Sequence, residues 1–414
     1  VDKLSITPTV SDNGTVTIGE QKAENGKATE VSLKIGSQEI PITVTSTNGA
    51  VETTTLHVLR NVDGSAYTVP TRPQYHFSQA MGWSNDPNGM LYYKGEWHLF
   101  FQYNQARTTW GELEWGHAVS KDLIHWEELP LNYQEDNGAM FSGCGVVDDE
   151  NTSGLFGDEK GPGKGGLIAL YTQNNELNGH RGQDQCIAYS KDNGRTWTKY
   201  KGNPILKWDE DHLKDTAFRD PKVFRHDGKW FMVLAGGILR IYSSDDLIHW
   251  NIESTYKGSD DIGNPAGLRV ETECPDMYPL TADDGITKWV ISEGGRYYRI
   301  GDLKKIDGHW TFVQDRDSDR YVMNFGPHSY AAMTYYIGNG ETTIGKPENR
   351  RIMINWASTW ADGYCNNVDK VTGQWGYNGF FNLQTELNVK KIDGKYKLVQ
   401  TPIDEYKTLR VNEA

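Results

Sequence analysis

The sequence predicts an all-β protein, a five-bladed β-propeller preceded by a small β-sandwich-like module. Three features carry that prediction. Polar and apolar residues alternate with period 2 in short runs, a hairpin followed by a tryptophan recurs through most of the chain, and aromatic content changes abruptly near residue 69. Almost no stretch has the 3.6-residue apolar period of an amphipathic helix.

The first element is residues 1–68. GTVTIGE, ATEVSLKIG, IPITVTST and VETTTLHVL alternate β-branched or aliphatic residues with polar ones, and Gly, Asn, Asp and Ser punctuate the gaps. Such runs read as the strands of a small sandwich. The segment holds one tyrosine and no tryptophan, and aromatics become dense only after TVPTRPQYHF. A boundary is therefore expected between residues 65 and 75, with the propeller over 69–400.

The propeller is read from a repeat. HAVSKDLIHWEEL, IAYSKDNGRTWTKY, RIYSSDDLIHWNI and the weaker IGDLKKIDGHWTFV each join a strand, an Asp-containing hairpin and a tryptophan. The tryptophans (126, 197, 250 and 310) recur at roughly 50 to 70 residues, about one four-stranded blade with its loops. The tail QWGYNGFFNLQTELNVKKIDGKYKLVQ supplies a fifth blade. Trp126, Trp197, Trp250 and Trp310 are expected to fill the space between blades. Function should come instead from the first residues of each innermost strand, which face one mouth of the central channel.

Composition narrows the partner. The 414 residues carry a formal charge of −14 with 22 tyrosines and 14 tryptophans, which argues against nucleic acid or an anionic membrane and suits a neutral ligand held by aromatic faces. No apolar run approaches the roughly 18 residues of a membrane span, so membrane insertion is not expected. The chain opens at Val1 within strand-like sequence and reads as a mature or trimmed piece of a longer protein. Cys144, Cys186, Cys274 and Cys365 form neither a metal-type pair nor a dense disulfide framework, and the 11 histidines show no metal-ligand spacing. No metal or cofactor is expected.

Three acids stand apart from the solvated majority: Asp86 in WSNDPNG, Asp220 in AFRDPKVF and Glu273 in VETECPDMY. Each is followed within two residues by proline. Asp86 and Asp220 directly precede theirs, so both are expected to be extended and stiff. Two carboxylates flanking a bond are what glycoside hydrolysis requires, one donating a proton and the other attacking or stabilising the sugar carbon. The third acid, Asp220, sits next to Arg219 and suits recognition of vicinal hydroxyls.

WSNDPNG, FRDP and ECPD, in this order and at these distances, resemble the three acidic motifs of the β-fructosidases of glycoside hydrolase family 32, the invertases, inulinases and levanases. The likeness runs from about Tyr75 to Arg410 through FQYN, WGHAVSKDLIHW, MFSGCGVVD and RTWTKY. The resemblance implies Asp86 as nucleophile, Glu273 as general acid/base and Asp220 as transition-state stabiliser. It also implies a fructose pocket lined by Asn85, Gln102, Trp110, Phe141, Ser142 and Arg219. A retaining pair would bring the Asp86 and Glu273 carboxyls to roughly 5 to 5.5 Å.

The resemblance further implies hydrolysis of fructans, levan or inulin, with fructosyl transfer or a non-catalytic carbohydrate-binding propeller as the alternatives. Residues 401–414 read as a linker towards a second β-sandwich that the chain stops short of, and the setting is extracellular, secreted or cell-surface attached. The N-terminal module, poor in aromatics, is read as a spacer. Three residues depart from the family pattern: Ser84, Cys144 and Thr272 replace a larger apolar residue, a serine and an aromatic. Ser84 and Thr272 are expected to leave the pocket mouth open to a polymer.

Overall fold

A computed structural model describes residues 2–11, 14–60, 66–130, 139–175, 182–208, 217–236, 238–256, 273–324, 326–335, 337, 350–358, 360 and 375–411. The N-terminal alternation becomes two sheets. β1 (Lys3–Ile6) pairs with β4 (Thr29–Ser32), while β2 (Thr15–Ile18), β3 (Gln21–Ala23), β5 (Gly36–Thr45) and β6 (Val51–Arg60) form a sheet in the order β3-β2-β5-β6. The apolar member of each alternating pair turns inward, and Val16, Ile18, Ala23, Leu33 and Ile40 make a small core.

Five sheets then follow in chain order. Sheet I contains β7 (Gly82–Tyr93), β8 (Glu96–Asn104), β9 (Glu114–Ser120) and β10 (Trp126–Leu129). Sheet II contains β11 (Ala139–Asp148), β12 (Gly166–Asn174), β13 (Gln183–Ser190) and β14 (Thr198–Lys199). Sheet III contains β15 (Arg219–His226), β16 (Lys229–Ala235), β17 (Leu239–Ser244) and β18 (Asn251–Tyr256). Sheet IV contains β19 (Asp276–Thr281), β20 (Thr287–Glu293), β21 (Tyr297–Ile306) and β22 (His309–Gln314), with β23 (Tyr321–Val322) on β21. Sheet V joins β24 (Tyr330–Thr334), β25 (Ile352–Trp356), β27 (Thr385–Ile392) and β28 (Lys395–Pro402). Each is an antiparallel meander.

The ring closes because each sheet buries an apolar face against both neighbours. Phe100 and Trp115 of sheet I meet Tyr171 and Ala188 of sheet II. Ile168 and Leu170 of sheet II meet Met232 and Leu234 of sheet III. Phe231 of sheet III meets Trp289 and Ile291 of sheet IV, and Val290 and Ile300 of sheet IV meet Met353 and Leu387 of sheet V. Phe101 of sheet I completes the circle against Ile352 and Ile354 of sheet V. The two ends of the ring are also zipped: β26 (Tyr377–Asn378) pairs in parallel with Gly82 and Trp83, and Arg72 stacks 3.5 Å from the Tyr377 ring. This is a five-bladed propeller, as the repeat predicts.

The repeat itself is a turn device. Asp122 accepts hydrogen bonds from the Ile124 and His125 amides at 2.9 and 2.8 Å, and Asp246 does the same for Ile248 and His249. The indoles of Trp126, Trp197 and Trp250 donate to the carbonyls of Leu123, Gly194 and Leu247. Trp197 packs on Phe100 of sheet I and Trp310 on Phe231 of sheet III, so both do fill space between blades.

The expected linker from residue 401 requires correction. Thr401 and Pro402 are the last rungs of β28, opposite Glu386 and Thr385. Ile403 is buried, and a short 3-10 helix (Asp404–Leu409) follows, held by the Arg350–Glu405 ion pair. A buried isoleucine and a paired carboxylate anchor this segment to sheet V.

Candidate active site

The first residues of all five innermost strands, or those just before them, line one cavity of about 400 Å³. Asn85 and Asp86 come from β7, Phe141 and Ser142 from β11, Arg219 and Asp220 from β15, Glu273 and Cys274 from just before β19, and Tyr330 from β24. Gln102 at the end of β8 and Trp110 complete the set, so all nine residues singled out from the sequence meet here. Four further lining residues were not assigned to the site from the sequence: Leu113, Cys274, Tyr330 and Trp360.

Bulges aim these side chains. The ladder register slips between Ser84 and Pro87 in β7, Phe141 and Gly143 in β11, Arg219 and Lys222 in β15, and Tyr330 and Met333 in β24. Each slip coincides with lining residues, and a bulge re-aims a side chain that strict alternation would turn elsewhere. Asp220 departs from its expected extended conformation and takes φ +60, in the left-handed region. Its backbone is held there by Thr172, whose hydroxyl accepts from the Asp220 amide at 3.0 Å, and by its carboxylate, which accepts from the Cys274 amide at 2.8 Å. Tertiary hydrogen bonds override the local preference before proline.

The three acids have different surroundings. Asp86 is buried, and its oxygens accept from Asn85 Nδ2 (3.0 Å) and Ser142 Oγ (2.7 Å), with the Cys274 sulfur 3.4 Å away. The Trp83 indole in turn fixes Asn85 at 2.8 Å. Burial pushes the Asp86 carboxyl above its ordinary range, against these donors, and the nearby Glu273 adds to the rise. Burial also raises Asp220, to about 7, although Arg219 pulls it down. Glu273 is the most exposed of the three: Arg219 donates to it at 2.6 Å and the Tyr330 hydroxyl donates to its other oxygen.

The remaining walls suit a neutral polyol. Both ends of the Gln102 amide are buried without a hydrogen-bond partner among the described residues. Leaving such groups unpaired is costly, so a ligand hydroxyl that pairs with both is strongly favoured. Trp110 is half-exposed and lies 6.4 Å from Phe141 and 6.3 Å from Trp360, giving the mouth an aromatic rim. Asp276, the last residue of ECPD, is a strut: it accepts from the amide and hydroxyl of Thr334, both at 2.7 Å, and lies 3.5 Å from the Lys222 ammonium.

Of the departures from the family pattern, Ser84 does not act as expected and Cys144 lies away from the cavity. Ser84 does not open the mouth: it is fully buried, its hydroxyl donates to Gln79 at 2.7 Å, and it does not line the cavity. Cys144 lies in the core between sheets II and III, where its sulfur accepts from the Val223 amide. Thr272 lies outside the described residues, as does Cys365.

A propeller whose innermost strands gather three carboxylates, neutral donors and aromatic faces into one axial cavity defines a class of carbohydrate-type site. The chain belongs to the glycosyl hydrolases family 32, whose N-terminal domain model matches residues 76–402. It is 48% identical over 360 residues to a fructan beta-fructosidase of Streptococcus mutans, covering 86% of this chain and 24% of that protein. It is 40% identical over 366 residues to a levanase of Bacillus subtilis, covering 84% and 49%. The chain thus spans about a quarter of the first relative's length and about half of the second's. Among solved structures, the exo-inulinase of Aspergillus awamori aligns with a TM-score of 0.67 at 34% identity, over 81% of this chain and 68% of that one. A fructofuranosidase of Schwanniomyces occidentalis, complexed with fructosylnystose, aligns with a TM-score of 0.66 at 31% identity, over 83% and 65%.

Proposed function

We propose that this chain is a retaining β-fructosidase that hydrolyses β-fructofuranosidic bonds in fructans through a fructosyl-enzyme intermediate. The observation that carries the reading is the meeting of Asp86 from sheet I, Asp220 from sheet III and Glu273 from just before sheet IV in one cavity that also holds Arg219, neutral donors and aromatic rings. The names of the relatives point the same way.

In this reading the protonated Glu273 gives its proton to the glycosidic oxygen as the bond to the fructosyl carbon breaks. The Asp86 carboxylate forms the new bond to that carbon, and the shortened sugar leaves. Glu273, now ionised, takes a proton from water, whose oxygen displaces Asp86 and releases fructose. Arg219 and Tyr330, both donating to Glu273, keep its carboxyl directed into the cavity in both roles. Asp220 accepts hydrogen bonds from vicinal fructose hydroxyls, contacts that strengthen as the sugar carbon gains positive charge. Asn85, Gln102, Arg219 and Ser142 hold the remaining hydroxyls and the nucleophile, while Trp110 and Phe141 offer apolar faces.

The preferred substrate is a polymeric fructan, levan ahead of inulin, cleaved from the chain end, with sucrose slower. The N-terminal module acts as a spacer for an enzyme exported to the cell surface or medium. Among the described residues no helix is long and apolar enough to cross a membrane. Chromatography of early products from levan, inulin, sucrose and raffinose tests the reading. Free fructose should appear first from the polymers; early oligosaccharides without fructose would mean internal cutting, and no turnover of any of the four would refute it.

A further inference from the structure

Cys274 is tied to all three acids. It follows Glu273 in the chain, its amide donates to Asp220 Oδ2 at 2.8 Å, and its sulfur lies 3.4 Å from Asp86 Oδ2. The two contacts need one backbone conformation: φ is +43, a region sterically unfavourable for a residue with a side chain. The preceding carbonyl, that of Glu273, is clamped by the Gly294 amide at 2.7 Å, and Ala331 binds the Gly294 carbonyl in turn. Gly294, directly after β20, and Ala331 of β24 therefore hold the strained residue where its amide meets one carboxylate and its thiol meets another.

We infer that Cys274 is a positioning residue that sets the basicity of the Asp86 carboxylate and its place relative to Asp220. The inference rests on the proposed role of Asp86 as nucleophile. Ser142 and Cys274 share Asp86 Oδ2, but a thiol is a weaker and longer-reaching donor than a hydroxyl. It fills the slot and excludes water while leaving most of the charge on the attacking group. The thiol stays protonated, because burial and the surrounding Asp86, Asp220 and Glu273 all oppose a thiolate. The groups facing Asp86 are thus Cys274, Ser142, Asn85 and Glu273, with Asp220, Arg219 and Tyr330 around the same cavity.

The test is the pH dependence of kcat/KM on levan for the wild type, Cys274→Ala and Cys274→Ser, with thermal melting measured alongside. Both variants retain the amide to Asp220, so the difference isolates the side chain. Cys274→Ala removes a donor from Asp86 and should move the acid limb up by about half a pH unit. It should also lower kcat about tenfold, with little change in KM. Cys274→Ser supplies a stronger donor and should move the limb below that of the wild type. If neither variant moves the limb, or both move it the same way in step with a lower melting temperature, Cys274 is only a packing residue. Should Cys274→Ala fail to fold, the direction of the serine shift alone decides. A wild type inactive on levan, inulin and sucrose, or an active Asp86→Ala variant, would refute the proposed function and, with it, the role of Cys274, whatever the two cysteine variants do.

Discussion

The same residue type has opposite effects at the two ends of the blades. On the outer hairpins, burial alone would raise Asp122, but the amides of His125 and Ile124 and the side chains of His125 and Ser120 bring its carboxyl down to about 2. Asp246 is lowered in the same manner, burial again being outweighed by donors from His249, Ile248 and Ser244. At the inner mouth, burial wins: Asp86 is raised and Asp220 reaches about 7. The difference teaches what each set is for. A turn aspartate surrounded by backbone donors stabilises the fold as an anion, whereas an inner aspartate is costly to ionise and that cost is held for a substrate.

The largest expected effects lie at the inner mouth. Replacing Asp86 with Ala should lower kcat by roughly four orders of magnitude or more, because both half-reactions need it. Glu273→Ala should be comparably slow on levan yet partly spared on an aryl fructoside whose leaving group needs no proton. Equal losses on both substrates would reverse the assignment of roles.

Next comes Asp220, where activity and stability should move in opposite directions. Asp220→Asn should lower kcat more than it raises KM. Its folded carboxyl titrates near 7, above the unfolded value, so the folded state binds the proton more tightly. The resulting stability is fully present below the unfolded pKa and is lost as pH rises through about 7. The asparagine variant should therefore melt a few degrees higher than the wild type, roughly 2–4 °C per kcal/mol, at pH 8. That advantage should vanish near pH 4. A variant less stable at both pH values would break the contrast.

The smallest effect is on the outer hairpin. Asp122→Asn should cost about 1 kcal/mol at pH 7, read as a slightly lower melting temperature, with kcat unchanged. Here the folded pKa is depressed, so the stability is present above the unfolded value and lost as pH falls through about 2. Partial exposure and salt screening keep the effect small. A loss of activity without a loss of stability would mean that the hairpins are not merely structural.

Local patterns carried much of this in the sequence itself. Period-2 alternation decides which faces of a strand are buried, and an Asp hairpin ending in Trp is a self-contained turn, so the five sheets and their tryptophans were legible residue by residue. Five of the nine site residues named from the sequence were legible because they lie in WSNDPNG, FRDP and ECPD, and Gln102, Trp110, Phe141 and Ser142 only through the resemblance to one family. What the tertiary structure alone decided is where strict alternation fails. The positive φ of Asp220 and Cys274 depends on partners from other sheets, and the bulges in β7, β11, β15 and β24 and the burial of Ser84 follow no alternation that the sequence displays. Cys274 and Asp86 are 188 residues apart, and Tyr330 reaches Glu273 across 57. No local preference encodes those meetings; closure of the ring creates them, because five strand ends can share one mouth only when each sheet has buried both of its faces.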